Sequence, residues 1–294
     1  MKKLADQIKR VGLIGNLEKA GCADSVRRAS RLIQRAGRRI ICETRTAQLA
    51  KLKAVTLPDA ATLAREVDLI LVFGGDGTMM HTARDIAGSA TPMLGVNLGG
   101  LGFLTAVPSD ELPRALNHVW RGEFKYETRD LIEAGGRCQG RQIHETALND
   151  VVVSRGAVSR LISLDVTVDG ELVTRYRCDG LIISSPTGST AYSLAAGGAV
   201  VLPTAEVFAL TPICPHALSN RSMILPLAST IRVKAVSPQP STILSTDGQM
   251  VAELDAGDEI TIRRSRRAIR LMHLADSSFL EALRRKLHWR GTYL

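Results

Sequence analysis

Residues 67–84 read VDLILVFGGDGTMMHTAR, an apolar run that ends in Gly74 and Gly75, meets one carboxylate at Asp76, and continues through Gly77 and Thr78 into a helix-like stretch. Glycines at a strand-to-helix turn let backbone approach a ligand closely and permit positive φ. The N–H groups that open the next helix favour a phosphate. A carboxylate repels phosphate, so Asp76 is out of place as a plain anion binder. It suits a general base on an attacking hydroxyl, or a partner of a divalent ion that carries the phosphates. A third reading leaves it as a helix cap.

Two further clusters have chemical potential. Asn149 and Asp150 set an amide beside a carboxylate, a pair able to bond ribose hydroxyls and a carboxamide, or to form a strand-edge turn. SSPTGSTAYS (184–193) gathers Ser185, Thr187, Ser189, Thr190 and Ser193 around Gly188, ahead of an alanine-rich stretch read as a helix. Competing phosphate motifs are absent: no G-x-x-x-x-G-K-[ST] occurs, and the G-x-G-x-x-G fingerprint begun at Gly75 fails at Met80.

The elements that must position these residues fall into two rhythms. RVGLIG (10–15), RRIICE (38–43), VDLILVF (67–73) and TPMLGVN (91–97) are apolar runs separated by helical patterns, which indicates a parallel sheet covered on both faces. Residues 24–37 read as a helix with Asp24 as N-cap and Gly37 as stop, and residues 108–122 as another with Pro113 in its first turn. From about residue 125 polar and β-branched residues alternate, as in half-buried antiparallel strands, with Asp169-Gly170 as a hairpin turn. The segment 277–289 is helical again, with a Ser278/Glu281 capping box and a Phe279, Leu283, Leu287 stripe.

The 294 residues, 45% hydrophobic and 23% charged, suffice for two globular domains. No apolar run approaches the roughly 20 residues of a membrane helix, and no apolar-basic helix suits a membrane surface, so no membrane partner is expected. Five cysteines without a C-x-x-C spacing argue for a reducing cytoplasm over a disulfide framework or a zinc site. The net charge of +9 suggests anionic partners. Arg27, Arg28, Arg31, Arg35, Arg38 and Arg39 read as the solvated side of a helix, and IRRSRRAIR (262–270) as a charge-protected edge strand. Aromatic residues at 4% leave little for base stacking, so nucleic acid is not expected.

GGDGT (74–78), ALND (147–150), DGLIISSPTGSTAYSLAAGG (179–198), PICPHALSNR (212–221) and STDGQ (245–249) together resemble the bacterial NAD kinases, in that family's order and spacing. GGDGT alone is shared with diacylglycerol kinases and 6-phosphofructokinases. The resemblance implies an α/β N-terminal domain with a parallel Rossmann-like sheet (1–124), a β-rich, antiparallel, sandwich-like NAD-binding and oligomerisation domain (125–274), and a final helix (275–294) packing back on the first. It implies transfer of the terminal phosphate of ATP, or another donor, to the adenosine 2′-hydroxyl of NAD, giving NADP. A divalent cation, Mg2+, would assist.

The same resemblance assigns the proton acceptor to Asp76, beside Gly77 in the nucleotide site. His81 lies one helical turn later, where the family often has a basic or polar group. Asn149 and Asp150 stand where the family usually has Asn-Glu. Arg160, Arg177, Asp179, Thr190, Ala191, Tyr192, Ser193 and Gln249 fall on positions that line the dinucleotide. A homodimer or homotetramer in the cytoplasm is expected.

Overall fold

The computed structural model describes residues 5–100, 102–157, 160–217, 219–236 and 242–289. Residues 290–294 of the final segment, and Leu218 within PICPHALSNR, lie outside the described residues. The chain divides into two compact units, one running to Thr128 and resuming at Ile269, the other spanning Arg129–Ala268.

In the first unit Arg10–Gly15, Arg39–Glu43, Val55–Leu57, Leu69–Gly74 and Met93–Asn97 pair in parallel. Their spatial order is Met93–Asn97, Leu69–Gly74, Arg10–Gly15, Arg39–Glu43, Val55–Leu57. The chain moves outward from the first strand to the third, then returns to the first strand's other side for the fourth. The carboxyl ends of Arg10–Gly15 and Leu69–Gly74 therefore flank the topological switch point, where open α/β sheets bind ligands. Every residue of Leu69–Gly74 is buried, as its unbroken apolar run requires.

Two local readings need correction, and one stretch without a sequence signal proves to be structured. The first helix spans Cys22–Arg35 and is capped by Gly21 at φ 78, so Asp24 sits in its first turn instead of capping it. Residues 44–66, which carry no strong periodicity, hold helices Thr44–Ala50 and Ala60–Glu66, the latter capped by Asp59 through the Thr62 N–H at 2.7 Å. The basic stretch 262–270 is no edge strand. It lies within Glu259–Leu274, which pairs with Ile231–Ala235 and with Phe124–Cys138. Two of its arginines are ion-paired there, Arg263 with Glu133 and Arg264 with Asp130 and Glu206.

The C-terminal helix, Phe279–Lys286, is capped by Ser278, which accepts from the Glu281 N–H at 3.5 Å. It joins the first unit through buried Leu283, the Phe103–Phe279 ring pair at 5.9 Å, and Arg114 with Asp276 just before it at 2.8 Å.

The second unit is antiparallel. One sheet runs Met223–Pro226, Val207–Ile213, Gly180–Ser184, Asp150–Arg155, Thr242–Thr246, Gln249–Leu254. A second layer includes Glu171–Cys178, Ile162–Val168 and Ile231–Ala235. One core, with Val151, Val153 and Leu181 from the first layer and Leu164, Val166 and Val233 from the second, lies between them. The expected hairpin forms at Asp169-Gly170, both at positive φ (53 and 91).

Candidate functional site

Gly75 caps the helix Asp76–Asp85 with extended backbone, and Asp76 is its first residue. The carboxylate does not serve its own helix terminus. It reaches to the loop after the neighbouring strand, where Oδ2 accepts from the Phe103 N–H (2.8 Å) and Oδ1 from the N–H groups of Leu104 (3.0 Å) and Thr105 (3.1 Å) and from Thr105 Oγ1 (3.1 Å). This removes the helix-cap reading. Lys286 Nζ stands 3.8 Å from Oδ2, an ion pair longer than a hydrogen bond. Three donors saturate Oδ1, so Oδ2 is the oxygen with lone-pair capacity for a further hydroxyl.

The loop is itself built from the strand end. Asn97 Nδ2 donates to the Gly100 carbonyl (2.7 Å) and to Thr105 Oγ1 (2.8 Å), while its Oδ1 accepts from the Gly99 N–H (2.6 Å). Across the switch point Asn16 Nδ2 donates to Thr78 Oγ1 at 3.1 Å, and Thr78 lies so close over Gly74 that a Cβ there would meet its Oγ1 at 2.2 Å. Gly75 and Gly77 face open space, so backbone is bare on both sides of Asp76. His81 is exposed and pairs with Asp85, Nδ1 to Oδ2 at 3.0 Å.

In the second unit the Asn149-Asp150 turn is held by a carboxylate from the Asp247-Gly248 turn. Asp247, at φ 48 before Gly248, accepts from the N–H groups of Leu148 (2.9 Å), Asn149 (2.7 Å) and Asp150 (3.2 Å). The Asp150 carboxyl is buried, and burial, with the Asp247 charge second, pushes its pKa up to about 7. The hydroxyl loop packs on the same turn. Ser185 N–H donates to the Asn149 carbonyl (2.8 Å) and Ser185 Oγ to the Leu148 carbonyl (2.5 Å). A Cβ at Gly188 would lie 2.1 Å from the Asn149 carbonyl oxygen, so only glycine allows this approach.

Most of the hydroxyls serve the fold. Thr187 accepts from buried Arg129 (3.2 Å), Ser189 bridges the Pro186 carbonyl (2.8 Å) and the Val201 N–H (3.0 Å), and Ser193, fully buried, bonds Thr211 Oγ1 at 3.0 Å. The expected alanine-rich helix shrinks to a 3-10 turn, Thr187–Thr190, and one α turn, Tyr192–Ala195, because Gly197 at φ 85 ends it. Thr190 and Ala191 are half-buried and Tyr192 is exposed.

Gln249 is exposed, two residues beyond Asp247, so it stands by the Asn149 turn. Asp179 is held by Arg155 (2.8 Å), a partner not foreseen, while Arg160 and Arg177 stand at exposed positions. Burial raises the Cys42 and Cys178 thiols to about 12, which makes them inert core residues. Among the described residues no group of three or more His, Cys, Asp and Glu could hold a metal ion, and no helix is long and apolar enough to cross a membrane.

Comparison with known proteins matches residues 11–124 to the ATP-NAD kinase N-terminal domain and residues 148–274 to the ATP-NAD kinase C-terminal domain. Sequence relatives include the NAD kinase of Thiobacillus denitrificans, 38% identical over 280 residues, 95% of this chain and 96% of that protein. The NAD kinase of Moorella thermoacetica is 38% identical over 97% of this chain and 91% of that protein. Among solved structures, yeast NADH kinase complexed with NADH superposes with a TM-score of 0.89 at 28% identity, covering 98% of this chain and 90% of that one. An Archaeoglobus fulgidus NAD kinase in complex with ATP gives 0.76 at 25% identity, covering 96% and 100%.

Proposed function

This chain belongs to the NAD kinase family, an enzyme that phosphorylates NAD, and we propose that Asp76 is the base of that reaction. The 2′-hydroxyl of the NAD adenosine ribose donates its hydrogen bond to Asp76 Oδ2. As the oxygen–phosphorus bond forms, the bond from the γ-phosphorus to the bridging oxygen of ATP breaks, the hydroxyl proton passes to Oδ2, and ADP leaves. Phosphoryl transfer asks little covalent chemistry of a protein, so a fixed base and bare backbone N–H groups suffice for much of the work. The observation that carries the reading is the anchoring of Asp76 by Phe103, Leu104 and Thr105, which leaves Oδ2 available.

Asn149, Asp150, Thr190, Ala191, Tyr192 and Gln249 bind NAD, with Arg160, Arg177 and Asp179 giving it charge-assisted bonds. Ser193, buried against Thr211, supports the turn that carries Thr190, Ala191 and Tyr192. Gly77 gives the nucleotide its close backbone approach, and His81 lends a polar group to the same nucleotide. A divalent cation such as Mg2+ would keep several waters and take phosphate oxygens with one or two carboxylates, and Asp76 is the carboxylate the site offers it. When bound it neutralises charge on the phosphates. Exposed Met223, Ile224 and Met250 on the two edge strands of the six-stranded sheet support a homo-oligomer. Five unpaired cysteines support a cytoplasmic site of action.

An assay of NADP formation from NAD and ATP tests the reading. Turnover by the purified chain is expected; binding of both nucleotides without NADP formation contradicts it.

A further inference from the structure

A carboxylate that must meet a phosphoryl group poses an electrostatic problem, because both are anions. The C-terminal helix carries a cation to that spot. Phe279, Leu283 and Lys286 share one face at i, i+4 and i+7. Leu283 is buried, and Phe279 packs on Phe103 with ring centroids 5.9 Å apart. That seating brings Lys286 Nζ to 3.8 Å from Asp76 Oδ2 and 4.3 Å from the Phe103 ring centroid, with the lysine side chain 28% exposed. Phe103 thus does two things. Its N–H fixes Oδ2 at 2.8 Å, and its ring face holds the ammonium beside that oxygen.

We propose that Lys286 is a further catalytic residue, the cation that offsets Asp76 toward the incoming phosphoryl group and stabilises that group during transfer. The inference rests on Asp76 being the base. Before the reaction the ammonium is balanced by the Asp76 carboxylate. As Oδ2 takes the ribose proton, that carboxylate becomes neutral, and the new phosphate ester forms on the ribose oxygen hydrogen-bonded to it. The lysine charge is then balanced by the equatorial phosphoryl oxygens, over which the transition-state charge is spread. No proton leaves Lys286 in this sequence. An interaction that strengthens between ground and transition state raises kcat more than it lowers KM.

The test compares Lys286→Met, which keeps the length and loses the charge, with Lys286→Arg. Expected for the methionine variant is a fall in kcat of about tenfold or more, with KM for NAD and for ATP changed by less than about threefold. Its melting temperature should stay near that of the parent chain, and arginine should recover most of the loss. Unchanged kcat in Lys286→Met, a loss carried mainly in KM, or a loss that arginine fails to relieve would each overturn the inference. Failure of the base assignment is separately visible: Asp76→Asn would then turn over normally, whatever Lys286 does.

Discussion

Gly102 and Asp76 fit with no room between them: a Cβ at Gly102 would stand 2.0 Å from Asp76 Oδ1 and 2.2 Å from Thr105 Oγ1. Gly102→Ala should therefore push the carboxylate or the loop out of register. A displacement of about 1 Å near reacting atoms costs on the order of a hundredfold in rate. The expected outcome is a large loss of kcat with NAD binding retained, measured by steady-state kinetics beside NAD titration. Full activity would show that the Asp76 geometry is not needed.

Asp247 spends its carboxylate on the N–H groups of Leu148, Asn149 and Asp150. Asp247→Ala leaves these donors without that acceptor, at a cost of about 1–3 kcal/mol. The Asn149-Asp150 turn, which we propose binds NAD, should loosen, so KM for NAD should rise while KM for ATP holds. Equal effects on both substrates would count against a local role.

Asp150 gives a pH signature. Its carboxyl holds a proton in the folded chain up to about pH 7, whereas an unfolded aspartate loses it near pH 4. The folded state thus binds more protons between those values, and its stability falls as pH rises across that window. Asp150→Asn removes the cost, and should raise the melting temperature by roughly 5 °C at pH 8 and little at pH 4. Thermal scans at both pH values measure it; an equal shift at both would refute the buried-charge explanation.

Arg177 is exposed on Glu171–Cys178, so its loss should barely touch stability. Arg177→Ala should weaken NADP binding by about tenfold through loss of a charge-assisted bond, with a melting temperature within about 1 °C of the parent. Calorimetric titration and a thermal scan give both numbers. The reverse pattern would make the arginine structural.

Much of this was legible in sequence. The run at 69–74 announces a buried parallel strand because burial on both faces demands unbroken apolar side chains. Asp169-Gly170 announces a hairpin because both residues accept positive φ. What stayed hidden depends on contacts between segments distant along the chain. Nothing near position 76 signals that loop residues 103–105 hold the carboxylate, or that Lys286 comes from the last helix. Asp247 looks like a turn residue, and only the folded chain brings its carboxylate to Asn149. Within the hydroxyl-rich loop, burial separates residues that sequence cannot. The resemblance sets Ser193 among the residues lining the dinucleotide, whereas in the fold Gly198 and Thr211 enclose it and Thr190, Ala191 and Tyr192 stay accessible. Residues 44–66 were missed because two seven-residue helices and a strand with an exposed Val55 give too little periodicity to read.

The base assignment is tested most directly by the turnover of Asp76→Asn, an isosteric change that keeps an acceptor oxygen for the Leu104 and Thr105 N–H groups, sets an amide against the Phe103 N–H, and removes the proton acceptor. The account predicts that kcat for NADP formation falls by about 10²–10⁴-fold while NAD affinity stays near that of the parent chain and the melting temperature falls by only a few degrees, about what one lost hydrogen bond costs. NADP formation at the parent rate by that variant would contradict it.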